Sequence, residues 1–169
     1  MSDLRLLGFA GDSGSGKTTL LEQLIPLLVT HGLRIAVVKH AHHDFEIDKP
    51  GKDSHRHRQA GADQVVISSK SRWAVIHELR HEPEPTLHEL CTHLSPCDLI
   101  LVEGYKQAAI PKLEIHRTAH GGAPLYPHDA HIIAVVTDNA QEIPLPVLDI
   151  NAPHQVVAFI LEYFNLDLA

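Results

Sequence analysis

Short apolar runs alternate along the chain with stretches whose apolar residues recur three and four positions apart. Leu4 to Ala10 is the first run; it breaks at Gly11 and predicts a buried strand. From Lys17 onward, Leu20, Leu21, Leu24, Ile25, Leu28 and Val29 line one face of a predicted helix that stops near His31-Gly32. Pro26 removes one hydrogen bond from that helix. Arg34 to His40 predicts a second buried strand, and the polar stretch Ala41 to Asp53, punctuated by Pro50-Gly51, a long loop. Ser54 is a candidate cap for a short helix through Ala60, with Gly61 as its stop. Strands at Gln64 to Ser68 and Arg72 to His77, separated by a Ser-Lys-Ser turn, predict a hairpin. A helix over Thr86 to Leu94 and a strong strand, Leu99 to Val102, follow.

After Gly104 the pattern is less regular. Lys112 to Arg117 alternates like a strand exposed on one face, and His120 to Asp129 reads as loop. Ile132 to Val136 is a run of the parallel-sheet kind, and Val147 to Ile150 is a last short strand. Pro153 opens a terminal helix whose Val156, Val157, Phe159, Ile160 and Phe164 pack inward. Strands and helices alternating in this way predict an α/β, three-layer fold with a mainly parallel central sheet.

Composition narrows the picture. With 44% apolar residues in 169, the chain suffices for one sizeable core, so a single domain over residues 1–169 is expected. No apolar run approaches the roughly 20 residues that cross a bilayer, and the opening residues lead into a strand rather than a signal peptide. Cys91 and Cys97 fit neither a metal nor a redox spacing and read as two reduced thiols. A cytoplasmic location without a membrane partner is expected. A net charge of -7, from 14 basic and 21 acidic residues, argues against nucleic acid as a partner. Most of the 15 histidines fall at element ends, where a solvated surface accounts for them.

The break after the first strand carries the chemistry. Gly11-Asp12-Ser13-Gly14-Ser15-Gly16-Lys17-Thr18 matches G-x-x-x-x-G-K-[ST] at every fixed position, after a strand and before a helix, which makes it a P-loop of the NTPase kind. Backbone N–H groups and the positive helix end converge there on a β-phosphate, and the glycines permit close approach. Lys17 is expected between the β- and γ-phosphates, and the Thr18 hydroxyl on Mg²⁺; Thr19 extends the motif.

A second acidic group is expected at the carboxyl end of a neighbouring strand, and Glu103 stands there, while Asp98 brackets the other end as a strand-start residue. The loop after the second strand carries His40, His42, His43, Asp44, Asp48 and Asp53 and is a candidate switch segment. Its three aspartates are candidates to position Mg²⁺ or water, with Asp44 the one placed in the catalytic set beside Lys17 and Glu103. A metal site built on the histidines has no cysteine to accompany it. Thr137-Asp138-Asn139 follows a buried strand, and the Asp138 carboxylate is a candidate acceptor for guanine N1–H and N2–H₂, which hints at GTP. The alternative at Asp138 is a simple Asx turn.

Several blocks together resemble the molybdopterin-guanine dinucleotide biosynthesis protein B family, known as MobB. They are Gly11 to Thr19, Val-Lys-His-Ala-His-His-Asp at Val38 to Asp44, and Asp-Lys-Pro-Gly-Lys-Asp-Ser at Asp48 to Ser54, with Ala60 to Ala62, Arg72 to Ala74, Asp98 to Lys106 and Leu148 to Asn151. The resemblance implies a P-loop GTP-binding protein with weak GTPase activity. It implies assistance to the molybdopterin guanylyltransferase partner that joins GMP to molybdopterin, and a homodimer to which the region after Gly104 lends strands. Two other readings use the same loop: a small-molecule kinase and a non-catalytic, nucleotide-locked adapter. Kinases of this fold supply several arginines from a mobile lid, whereas Arg56 and Arg58 are the only close pair before the hairpin. Lys49, Lys52, Arg56 and Arg58 read as a solvated face or a patch for a phosphorylated pterin.

Overall fold

The computed structural model describes residues 4–41, 45–120, 122–139 and 142–166. They gather into two compact units, residues 41–86 and the remainder.

The larger unit is built on a six-stranded sheet. Its strands are β1 (Leu6–Ala10), β2 (Ile35–Lys39), β5 (Leu99–Glu103), β6 (Lys112–His116), β7 (Ile132–Thr137) and β8 (Val147–Asp149), in the order β2-β5-β1-β6-β7-β8. Every pairing in it is parallel. Interior parallel strands are covered on both faces and are therefore apolar throughout: all five residues of β5 are buried, and so is β1 after Leu6.

Alternate residues of these strands serve different helices, because successive side chains point to opposite faces. Leu7, Phe9, Leu99, Leu101, Leu113 and Ile115 pack with Leu20, Leu24 and Leu28 of α1 (Lys17–Thr30) and Val156 and Ile160 of α4 (Pro153–Tyr163). Ile100 and Val102 pack instead with Val38 and with Leu87, Leu90 and Cys91 of α3 (Leu87–Thr92). The result is the expected three-layer α/β arrangement. Each buried leucine of α1 contributes about 2 kcal/mol by leaving water, which offsets the cost of Pro26 inside the helix.

One strand departs from its sequence reading. β6 is not exposed on one face: it lies between β1 and β7, with Lys112 only 2% and Glu114 only 1% exposed. Lys112 Nζ donates to the carbonyls of Lys106 and Ala108, at 3.0 and 2.8 Å, and pairs with Asp129 at 2.6 Å. Glu114 accepts the backbone N–H groups of Leu125 and Tyr126 at 2.7 and 2.8 Å. Both charges are buried because each is fully partnered. β6 pairs in parallel with β1 on one side and β7 on the other.

The smaller unit holds α2 (Asp53–Gln59) and an antiparallel hairpin of β3 (Gln64–Ser68) and β4 (Trp73–His77). Ser54 lies inside α2 rather than capping it; the N-cap position is Lys52, with no side-chain cap. The predicted short helix and hairpin are both present and form this unit together with the segment that precedes them.

Candidate functional site

The strand order makes a crevice. From β1 the chain moves to one side of the sheet through β2 and β5, then to the other through β6, β7 and β8, so order reverses at the carboxyl end of β1. Ligands of open α/β sheets sit at such a switch point. Because all six strands run parallel, everything that follows them shares that edge: the phosphate loop after β1, Glu103 ending β5, Arg117 after β6, Asp138 after β7 and Asn151 beyond β8.

The loop conformation needs its glycines. Gly11 has φ of 147° and a Cβ there would stand 2.4 Å from the Ile115 carbonyl oxygen of β6. Gly16, at φ of 95°, is the left-handed N-cap of α1. The Leu20 N–H donates to the Gly16 carbonyl at 2.9 Å, so the N–H groups of the preceding first turn lie before the helix ladder and face the loop. No acidic side chain occupies that turn. The Ser15 hydroxyl is buried beside them and has no hydrogen-bond partner among the described residues.

Lys17 Nζ donates to the carbonyls of Gly11 and Asp12 at 3.0 and 2.7 Å, which holds the ammonium across the mouth of the loop. Burial pushes its pKa below the usual lysine value, and Lys106 and Lys39 act in the same direction against Glu103 and Asp12. Thr18 Oγ1 donates to Glu103 Oε1 at 2.8 Å. The other carboxylate oxygen of Glu103 lies 3.4 Å from Lys39 Nζ, and the residue is only 8% exposed. Lys106 Nζ lies 3.9 Å from Asp12. The loop is thus ringed by three lysines from β1–α1, β2 and the segment after β5, an arrangement suited to a polyphosphate.

Asp138 is already engaged. Its Oδ1 accepts the backbone N–H and the hydroxyl of Thr118, both at 3.1 Å, and its Oδ2 lies 3.9 Å from Arg117 Nη1. These contacts, the Thr118 N–H foremost, hold its carboxyl below the usual range. Arg117 Nε in turn donates to the Ser15 carbonyl at 3.2 Å. Beside it opens a cleft of about 210 Å³, bounded by Gly16, Thr19, Gln23, Arg117, Asn151 and Pro153.

Asp44, His42 and His43 lie outside the described residues. Asp48 and Asp53 belong to the smaller unit. Asp48 is buried, and both its oxygens accept from the Arg58 guanidinium, whose third contact is Glu78. Asp48 and Arg58 therefore brace that unit. Asp53 is exposed and lies 3.8 Å from Arg56. Among the described residues no group of three or more His, Cys, Asp and Glu side chains is placed to hold a metal. Asp98, as expected of a strand-start residue, clamps Arg34 at the opposite sheet edge through three hydrogen bonds of 2.7, 3.1 and 3.0 Å.

Sequence reasoning passed over Arg117, Lys39 and Lys106. The signal for Arg117 was its place immediately after a strand, shared with Glu103 and Asp138, and it was hidden by the polar alternation of β6.

Residues 6–138 match the family model for molybdopterin guanine dinucleotide synthesis protein B. The chain is 44% identical over 163 residues to the molybdopterin-guanine dinucleotide biosynthesis adapter protein of Escherichia coli strain K12, covering 95% of this chain and 93% of that one. It is 44% identical over 167 residues to the adapter protein of the same description from Haemophilus influenzae, covering 97% and 92%. The fold is similar to the crystal structure of a molybdopterin-guanine biosynthesis protein B, with a TM-score of 0.76 and 29% identity over 95% of this chain and 99% of that one. With its phosphate loop, its parallel sheet and a family match over most of its length, the chain belongs to the molybdopterin guanine dinucleotide synthesis protein B family.

Proposed function

We propose that this protein is a GTP-binding adapter of molybdenum cofactor biosynthesis, which assists the guanylyltransferase that attaches GMP to molybdopterin. The role as adapter follows its relatives. The observation that supports nucleotide binding is the phosphate loop, with Lys17 across its mouth and Thr18 bonded to Glu103 at its floor. In this reading the first-turn N–H groups and the Ser15 hydroxyl receive the β-phosphate, and Lys17 turns from the loop carbonyls to the β- and γ-phosphates.

Mg²⁺ fits the donor set. The Thr18 hydroxyl and the Glu103 carboxylate are hard oxygen donors 2.8 Å apart. Bound there, the ion would neutralise charge on the β- and γ-phosphates. Asp44 remains the proposed carboxylate for orienting water, and hydrolysis in this reading is weak. The protein is further read as a cytoplasmic homodimer; no helix among the described residues is long and apolar enough to cross a membrane.

The test is calorimetric titration with non-hydrolysable GTP and ATP analogues in Mg²⁺, for the native chain and Lys17→Ala. Binding that prefers the GTP analogue and is lost in the variant supports the reading. Preference for ATP, or indifference to Lys17→Ala, sinks it.

A further inference from the structure

Arg117 sits where a cation is out of place. Its guanidinium lies at the N-terminal end of α1: Nε is 3.2 Å and Nη2 3.5 Å from the point where a Cβ on Gly16 would be. The helix N-terminus carries partial positive charge, so a cation there is disfavoured, and the first turn contains no acidic residue to offset it. The Asp138 carboxylate lies 3.9 Å away through Oδ2, while its Oδ1 is spent on Thr118.

The side chain is nonetheless held. One edge of the guanidinium donates to the Ser15 carbonyl, its tip is drawn towards Asp138, and the absence of a side chain on Gly16 admits it to the loop. Its side chain is 33% exposed, and the residue lines the 210 Å³ cleft between α1 and the turn from β8 into α4. That volume is below the range of drug-sized pockets and suits one small ring system. The cleft walls supply the amides of Gln23 and Asn151 and the hydroxyl of Thr19. A planar guanidinium both stacks on aromatic rings and donates to phosphate oxygens.

We infer that Arg117 is a nucleotide-contacting residue, oriented by Asp138, which bridges the α-phosphate and the base face of a purine nucleoside triphosphate whose base lies in the cleft of Thr19, Gln23 and Asn151. An anion beside it removes the conflict with the helix end. Asp138 acts through Arg117 and is a positioning residue rather than a direct reader of the base. The inference rests on the nucleotide-binding reading above and extends it to the nucleoside side of the site.

Two probes separate the two: pyrophosphate, which requires only the phosphate loop, and a non-hydrolysable GTP analogue, which requires the cleft as well. Arg117→Ala is expected to weaken the analogue about tenfold or more while changing pyrophosphate affinity by less than about threefold; retained pyrophosphate binding also certifies a folded loop. Arg117→Lys keeps the charge but not the planar fork and should recover only a minor part of the loss. Asp138→Asn should weaken the analogue in the native background and add nothing in Arg117→Ala. Equal loss for both probes, full rescue by lysine, or additive effects of Asp138→Asn would each overturn the inference. Native protein that binds pyrophosphate no more weakly than the analogue overturns it while leaving the phosphate site intact; failure to bind either probe removes the nucleotide reading itself.

Discussion

Thr18 and Glu103 are 85 positions apart in the chain, and their side chains meet at 2.8 Å. The contact ties the first turn of α1 to the last residue of β5, because β1 and β5 pair in parallel with Phe9 opposite Glu103. Glu103→Gln keeps the shape of this contact and removes its charge. We expect Mg²⁺-dependent affinity for a GTP analogue to fall about tenfold or more, with metal-free pyrophosphate binding little changed. Titration in Mg²⁺ and in chelator checks it, and equal affinity of native and variant protein in Mg²⁺ would exclude the metal role.

Gly11 and Gly16 both hold positive φ, yet their surroundings differ. A methyl group on Gly11 meets the Ile115 backbone oxygen at 2.4 Å, whereas on Gly16 the nearest atom is the Nε of a side chain, Arg117, at 3.2 Å. Gly11→Ala should cost roughly 2–5 kcal/mol of stability, and Gly16→Ala about 1–2 kcal/mol. Urea unfolding of the two variants decides; a larger loss for Gly16→Ala would contradict this account.

Asp98 gives a pH signature. The Arg34 side chain and backbone N–H lower its pKa from 3.8 to about 2. A carboxyl depressed in the folded state stabilises the protein above its unfolded pKa, and that stabilisation is lost as pH falls through the folded value. The melting temperature of Asp98→Asn should therefore lie below that of the native chain at pH 5 to 7, and the gap should close between about pH 4 and pH 2. A gap independent of pH would show that charge at Asp98 is immaterial.

Lys112 tests the burial of β6. Lys112→Ala leaves Asp129 Oδ2 without its cation and two carbonyls without their donor, and opens the space where the lysine stem covers Gly8. A loss of about 3–5 kcal/mol is expected, as for one half of a buried ion pair. Lys112→Met retains the stem and should lose less. Denaturant unfolding that put Lys112→Ala within about 1 kcal/mol of the native chain would show the ammonium to be dispensable.

The elements were largely legible along the chain, because apolar runs and helical spacing report burial directly: β1, β2, β5 and β7, with α1 and α4, stand within a residue or two of their predicted bounds. The phosphate loop was legible for a different reason, since its glycines, Lys17 and Thr18 lie within eight consecutive positions. Glu103 was legible only as a residue at the end of a strand; its contact with Thr18 depends on β5 lying beside β1.

β6 was misread because Lys112 and Glu114 alternate with apolar residues, and alternation carries the same signature whether polar side chains reach water or buried partners. Those partners, Asp129 and the N–H groups of Leu125 and Tyr126, come from a later loop. Arg117 followed β6 into obscurity. Asp138 was placed on the correct edge, but its engagement with Thr118 and Arg117 joins residues about 20 positions apart.

Local spacing thus determined the strands, the helices and the loop that receives phosphate, each being a property of neighbouring residues. Strand order decided what stands around that loop. Glu103, Arg117, Asp138 and Asn151 share one edge because six parallel strands end there, and no pattern within a single strand records which strand lies beside it.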